Sequence, residues 1–266
     1  MDSLPQDHFN FGKNWLAYST HAFDSQAFQS AQASLRELIG EPGIAGKTFL
    51  DIGSGSGIFA LAAQSLGAWQ VKGLDISPES VRAAVGNARN LDIDEVEFVH
   101  GSILSVPLAP LGTYDIVYSW GVLHHTGNMW LAIERASHLV KPGGLFVIAI
   151  YNKHWSSRLW LAVKYLYNRA PQAVQTLMVG IFSIIIFVAK FLATGSNPLK
   201  RRRGMNFYYD VIDWIGGYPY EYASKDEVVE FVGNHNFRLK RFVPAPVETG
   251  ASEFVFEKAS EYVIGR

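Results

Sequence analysis

The sequence predicts an α/β fold: a doubly wound, mostly parallel seven-stranded sheet with a helical insertion after its fifth strand. Three observations predict it. Short apolar runs alternate with segments of helical period between Lys47 and Tyr151. The runs are nearly continuous in Val, Ile, Leu and Phe, as strands covered on both faces are. One of them, "KTFLDIG", passes directly into a glycine-rich turn and then a helical segment. Such alternation implies right-handed crossovers between parallel strands.

In chain order, "DSQAFQSAQASLRELIG" reads as a helix that stops at Gly40 and leads into the sheet. The first five strands are "KTFLDIG", "WQVKGLDI", "VEFVHGS", "YDIVYSW" and "GLFVIAIYN". A helix after the first strand should stop at Gly67, and "SPES" supplies Ser77 as an N-cap with Pro78 at the first helical position. A last helix and sixth strand follow in "SKDEVVEFVGNHNFRLKRFV", and "SEFVFEKA" is the seventh strand. This divides the chain into an N-terminal helical cap (1–46), an α/β core (47–153), a mostly helical apolar insertion (154–223) and the elements that complete the sheet (224–266).

Composition narrows the function classes. The 266 residues are 48% hydrophobic and 14% aromatic, enough for one large core with an added subdomain. A formal charge of -1 gives no overall basic field for nucleic acid. Cysteine is absent, which removes disulfides, thiolate metal sites and cysteine nucleophiles together. The first residues lack a secretory pattern, so the expected location is cytoplasmic. No His/Asp/Glu set has metal-ligand spacing, and no metal is expected.

The glycine turn carries the chemistry. Gly53, Gly55 and Gly57 follow a strand and open a helix, where a ligand can meet backbone N–H groups and the helix dipole. The dinucleotide pattern G-x-G-x-x-G would require glycine at Ile58 and fails there. What remains is "DIGSGSG", with Asp51 at the strand end and Asp75 closing the next strand 24 residues later, placed to accept hydrogen bonds from a ribose diol.

This arrangement resembles the class I S-adenosylmethionine-dependent methyltransferases, whose first motif is an acid-x-G-x-G-x-G loop. "YDIVYSWGVLHHTGNMWLAIERASHLVKPGGLFVIAIYN" is similar to the later motifs of small-molecule members, among them the ubiquinone-type O-methyltransferases. "FGKNW" and "DVIDWIGGYPYE" resemble a bacterial subgroup. The resemblance implies a Rossmann-like methyltransferase fold that binds S-adenosylmethionine and releases S-adenosylhomocysteine. Asp51 and the three glycines would hold the methionine end, Asp75 the ribose and Ile76 the adenine face. Many relatives carry an acid after the third strand where this chain has Ser102 and Ile103, so a hydroxyl would meet the adenine amino group. Trp120, at the end of the fourth strand, is a further cofactor-side candidate.

Methyl transfer to an oxygen or sulfur nucleophile gains from a base. His125 matches a histidine of the ubiquinone-type relatives, and His124 can equally face the acceptor; either can instead orient its own loop. Tyr151 and Asn152 at the end of the fifth strand, Trp15 near the N-terminus and Tyr218 near the insertion's end are acceptor-side candidates. His100, His138, His154 and His235 read as surface or core residues. The stretch "YDVIDWIGGYPYEYA" reads as a poor helix interior and a rigid wall.

The insertion holds the uncharged run Pro171 to Ala189, followed by "KRRR" from Lys200 to Arg203. The readings for 171–203 are an apolar lid, a homodimer face, or a helix lying in a membrane interface at the inner face. A single crossing would separate the last strands from their sheet. Two function classes stand: a methyltransferase for a small or lipid-like acceptor, and a noncatalytic cofactor-fold protein that docks through the insertion.

Overall fold

A computed structural model describes residues 9–40, 43–199 and 203–260. Two helices, α1 (Phe11–His21) and α2 (Ser25–Ile39), precede the sheet. The core then runs β1 (Thr48–Ile52), α3 (Ile58–Ser65), β2 (Gln70–Asp75), α4 (Pro78–Asn90), β3 (Val96–His100), the short α5 (Leu108–Leu111), β4 (Tyr114–Trp120), α6 (Met129–His138) and β5 (Val140–Tyr151). The insertion forms α7 (Ser157–Arg169), α8 (Gln172–Thr194) and α9 (Phe207–Gly216), and α10 (Lys225–Gly233), β6 (Phe237–Val243) and β7 (Ala251–Lys258) finish the chain.

The seven strands lie in the order β3-β2-β1-β4-β5-β7-β6, with β7 antiparallel to both of its neighbours and the other pairs parallel. Order reverses between β1 and β4. Strand-end loops part there, and open α/β sheets bind ligands in the crevice that results.

Every residue of β1 is buried, because its alternate faces enter two different cores. Leu50 and Ile52 join α6 and α10 on one side, and Phe49 joins α2 and α3 on the other. Each such side chain contributes about 1.5–3 kcal/mol of burial. The predicted caps form: Ser77 Oγ accepts the Glu79 and Ser80 amides at the start of α4, and Ser224 with Glu227 makes a capping box on α10.

One sequence expectation is corrected here. The stretch expected to be non-helical is helical from Phe207 to Gly216, because its glycines fall at the end and Gly217 terminates the helix. The uncharged run is largely exposed. In α8 only Val179 and Ile186 are buried, against Val211, Ile215 and Tyr167 of the adjacent helices, while Leu177, Ile184 and Leu192 are exposed. Of the basic cluster, Lys200 to Arg202 lie outside the described residues, and Arg203 turns inward to pair with Glu253.

Candidate active site

At the strand-order reversal lies a cavity of about 880 Å³ that runs from the glycine loop to the aromatic residues of α1, α9 and the histidine turn. Asp51, Gly53, Asp75, Ile76, Ser102, Ile103, Trp120, His124, His125, Tyr151, Trp15 and Tyr218 all line it. Gly55, Gly57 and Asn152 do not. Asn152 instead bridges to Ala223 beside the sheet, and its amide donates to Gly250 O.

The glycine loop is shaped by close protein contacts as well as by the cavity. Gly55 has φ +55°, and a Cβ there would lie 2.8 Å from the indole of Trp15. Gly57 has φ +76°, and its Cβ would meet Ala84 and Phe98. A left-handed backbone under a packed ring leaves room for glycine alone. Trp15 reaches the loop because α1 rests on the start of α4, so closely that a Cβ on Gly12 would overlap Ser77 Oγ.

Asp75 fastens this end together. One carboxylate oxygen accepts the Gly55 amide and the other the Ser77 amide, both at 2.8 Å. Burial raises its pKa, and the two amides oppose the shift. Asp51 is more isolated. Burial first and the Asp75 charge second push its carboxyl up to about 8, with the Ala60 amide working the other way. Asp51 Oδ2, Ser54 Oγ and Ser56 Oγ are buried and meet no hydrogen-bond partner among the described residues. Buried polar atoms normally have partners. Two acids, two hydroxyls and a glycine backbone around an open volume therefore fit a cationic, hydroxyl-bearing nucleoside such as S-adenosylmethionine.

The other end is aromatic. His125 donates from Nδ1–H to Pro219 O at 2.6 Å, since a carbonyl only accepts, so neutral His125 has its basic lone pair at Nε2. Its ring lies 5.0 Å from Phe11 and 5.6 Å from Tyr151. The turn that carries it is pinned twice more. The Glu221 amide donates to His124 O, and the Glu221 carboxylate accepts the Met129 amide at the N-terminus of α6. His124 differs sharply: its ring is fully buried 4.2 Å from Tyr151, neither nitrogen has a partner among the described residues, and burial holds its pKa well below the usual range.

Sequence reasoning missed the ionisable groups behind this end. Asp213 of α9 lines the cavity and accepts a 2.7 Å bond from Asn14 Nδ2, and burial raises its pKa to about 8. Lys164 of α7 is fully buried, donates to Trp214 O and sits 4.8 Å from the centre of the Tyr220 ring. Burial lowers it to about 7, with the Asp213 charge opposing. A lone lysine inside "WLAVKYLY" and two acids three apart in "YDVIDW" were the available signals. Among the described residues, no group of three or more His, Cys, Asp or Glu is placed to hold a metal.

A family described as a methyltransferase domain matches residues 45–177, half of the chain. The chain belongs to that family. The matched methyltransferase domain covers the whole parallel sheet and α7. The ubiquinone biosynthesis O-methyltransferase of Psychrobacter arcticus is 30% identical over 46% of this chain and 48% of that protein. Its counterpart from a Methylobacterium species is 34% identical over 44% of this chain and 46% of that protein. The chain thus spans about half the length of the curated relatives it matches. In fold it is similar to a magnesium protoporphyrin IX methyltransferase from Synechocystis PCC 6803 with bound S-adenosylmethionine, at a TM-score of 0.58 and 12% identity over 97% of this chain and 100% of that one.

Proposed function

We propose that the chain transfers a methyl group from S-adenosylmethionine to a small or lipid-like acceptor through an oxygen or sulfur nucleophile. The observation that carries this reading is a single cavity joining Asp51 and the glycine loop to His125. Bound S-adenosylmethionine supplies an activated methyl on a sulfonium. The chain's residues then hold, orient and exclude water. Asp75 spends one lone pair of each oxygen on a backbone amide and keeps capacity for ribose hydroxyls. Ile76, Ser102 and Ile103 bound the base, with the Ser102 hydroxyl at the adenine amino group. Such placement alone can supply about 7–11 kcal/mol at best.

His125 takes the acceptor's proton at Nε2, a role supported by the Pro219 bond that fixes its tautomer. The depressed, fully buried His124 is the positioning partner in the pair. The named O-methyltransferase relatives support oxygen as the nucleophile. Calorimetry with S-adenosylmethionine, followed by detection of S-adenosylhomocysteine with phenol, catechol and thiol acceptors, tests the reading. Tight binding and product matched to methylated acceptor are expected. A folded protein that does not bind S-adenosylmethionine ends it.

We further propose that the insertion meets its acceptor at a lipid surface. The exposed side of α8 belongs to a helix whose most apolar 18-residue stretch has a mean hydropathy of 2.3, and Trp155, just before α7, is 85% exposed. The exposed charged residues of α7, Arg158 and Arg169, are both basic, which favours anionic headgroups over a second copy of the same face. Because the opposite side of α8 packs on α9, the helix lies on the bilayer. Wild type should float with anionic vesicles, less so in high salt, and Leu177→Ser/Ile184→Ser/Leu192→Ser should not float at any salt. Wild type that stays with the soluble fraction refutes this, and a doubled mass by light scattering would assign the face to a homodimer.

A further inference from the structure

The segment that follows α8 returns to the glycine-loop end of the cavity. A Cβ on Gly204 would lie 2.7 Å from Ala27 O and from Ile58 Cδ1, so this backbone is pressed against the first turn of α3. Its neighbour Arg203 lines the cavity with side-chain exposure of 15%. The guanidinium is centred 4.3 Å from the Trp120 ring and 5.1 Å from Phe59, pairs through Nη1 with Glu253, and donates through Nη2 to the Tyr118 hydroxyl at 2.5 Å. Trp120 Nε1 donates to the same Glu253 oxygen at 2.8 Å.

Two polar atoms in this corner are left over. Arg203 Nε and Asp51 Oδ2 are both buried and without a partner among the described residues. Tyr118, Arg203, Asp51 and Glu253 all line the same cavity. A guanidinium has five N–H donors in a planar fork, and the Glu253 and Tyr118 bonds use two. A tether between Glu253 and Tyr118 would account for neither Nε nor Asp51. An α-amino acid end accounts for both, because its carboxylate and ammonium sit one carbon apart and carry the opposite charges.

On the reading of S-adenosylmethionine as the cofactor, we infer that Arg203 binds the α-carboxylate of its methionine end, with Asp51 and Glu253 receiving the α-ammonium. The insertion thereby contributes to the cofactor site as well as to the acceptor side. In the sequence Arg203 closes the basic run "KRRR", which only the membrane-interface reading gave a role. It supplies charge that the glycine loop lacks.

Decarboxylated S-adenosylmethionine tests the assignment, since it keeps the adenosine, the sulfonium and the amine and lacks only the carboxylate. By calorimetry on the full chain, wild type should bind S-adenosylmethionine about tenfold or more tighter than the decarboxylated ligand, the scale of a charge-assisted hydrogen bond. Arg203→Gln should shrink that preference to about twofold and leave the decarboxylated ligand's affinity unchanged. The double variant Arg203→Gln/Glu253→Gln, which leaves no unpaired buried charge, should also lose the preference. A folded Arg203→Gln that keeps the tenfold preference overturns the inference, as does a wild type that binds both ligands equally. Equal loss of both ligands by the folded double variant also overturns it, by assigning Arg203 to cavity shape. Wild type that binds neither ligand refutes the cofactor reading itself, a distinct result.

Discussion

The two ends of the cavity are built on opposite principles. At the glycine-loop end, charges and hydrogen bonds are fixed by backbone: Asp75 is held by two amides, and the left-handed Gly55 is packed under Trp15. At the aromatic end, side chains from α1, α7, α9 and the histidine turn enclose ionisable groups that have few polar partners, and burial shifts His124, Lys164 and Asp213 towards their neutral forms. The first end is suited to recognising a constant ligand. The second, which on the proposed reading faces the acceptor, draws on α1 and the histidine turn as well as on helices of the insertion.

The largest expected break falls on the glycine loop. Gly55→Val places a β-branched side chain at positive φ against the Trp15 indole, and S-adenosylmethionine binding by calorimetry should fall below detection. Trp15→Gly in the same chain should recover part of the loss, which separates crowding from backbone strain. Wild-type affinity in folded Gly55→Val would remove the loop from the site.

His125→Ala tests the aromatic end alone. Turnover with a protonated acceptor should drop about 10²-fold while cofactor affinity barely changes, because a base acts in the transition state. Equal rates at every pH would leave His125 a structural residue bonded to Pro219.

Asp75→Ala should weaken S-adenosylmethionine binding by about 1.5–3 kcal/mol, the range for hydrogen bonds to a charged group. Asp75→Asn, which can still accept from the Gly55 amide, should lose less. Unchanged affinity in both folded variants would exclude Asp75 as a ribose ligand.

The smallest effect is in pH dependence. Asp51 is raised from 3.8 to about 8, so the ligand-free fold holds a proton that the unfolded chain releases across that window. Its contribution to stability is therefore complete below about pH 4 and is lost as pH rises towards 8. Asp51→Asn should flatten the fall in Tm between pH 5 and 8 by a few degrees. A cationic ligand favours the ionised carboxylate, so binding at pH 7 should release a proton, measurable by calorimetry in buffers of different ionisation enthalpy. An unchanged Tm slope together with no proton release would show Asp51 to be ionised in the free protein.

The sheet and the glycine-loop end were legible in sequence because both are local. Strands covered on two faces read as unbroken apolar runs, and the acid, the turn and the next acid fall within one βαβ unit from Thr48 to Asp75. The second end was legible only in part. His125 and Tyr151 close strand-end segments, so chain order brings them to the rim. Lys164, Asp213 and Arg203 have no such marker, and α9 was misread because its terminal glycines were counted as interior ones. What sequence alone determined was the fold class and the residues at the strand ends. Only the tertiary structure decided that Arg203 turns inward to Glu253 and that a lysine and an aspartate stand behind the aromatic wall. The reason is physical: local pattern sets which face of an element is apolar, whereas the partner of a buried charge is chosen by packing between elements as much as 199 residues apart, as Asn14 and Asp213 are.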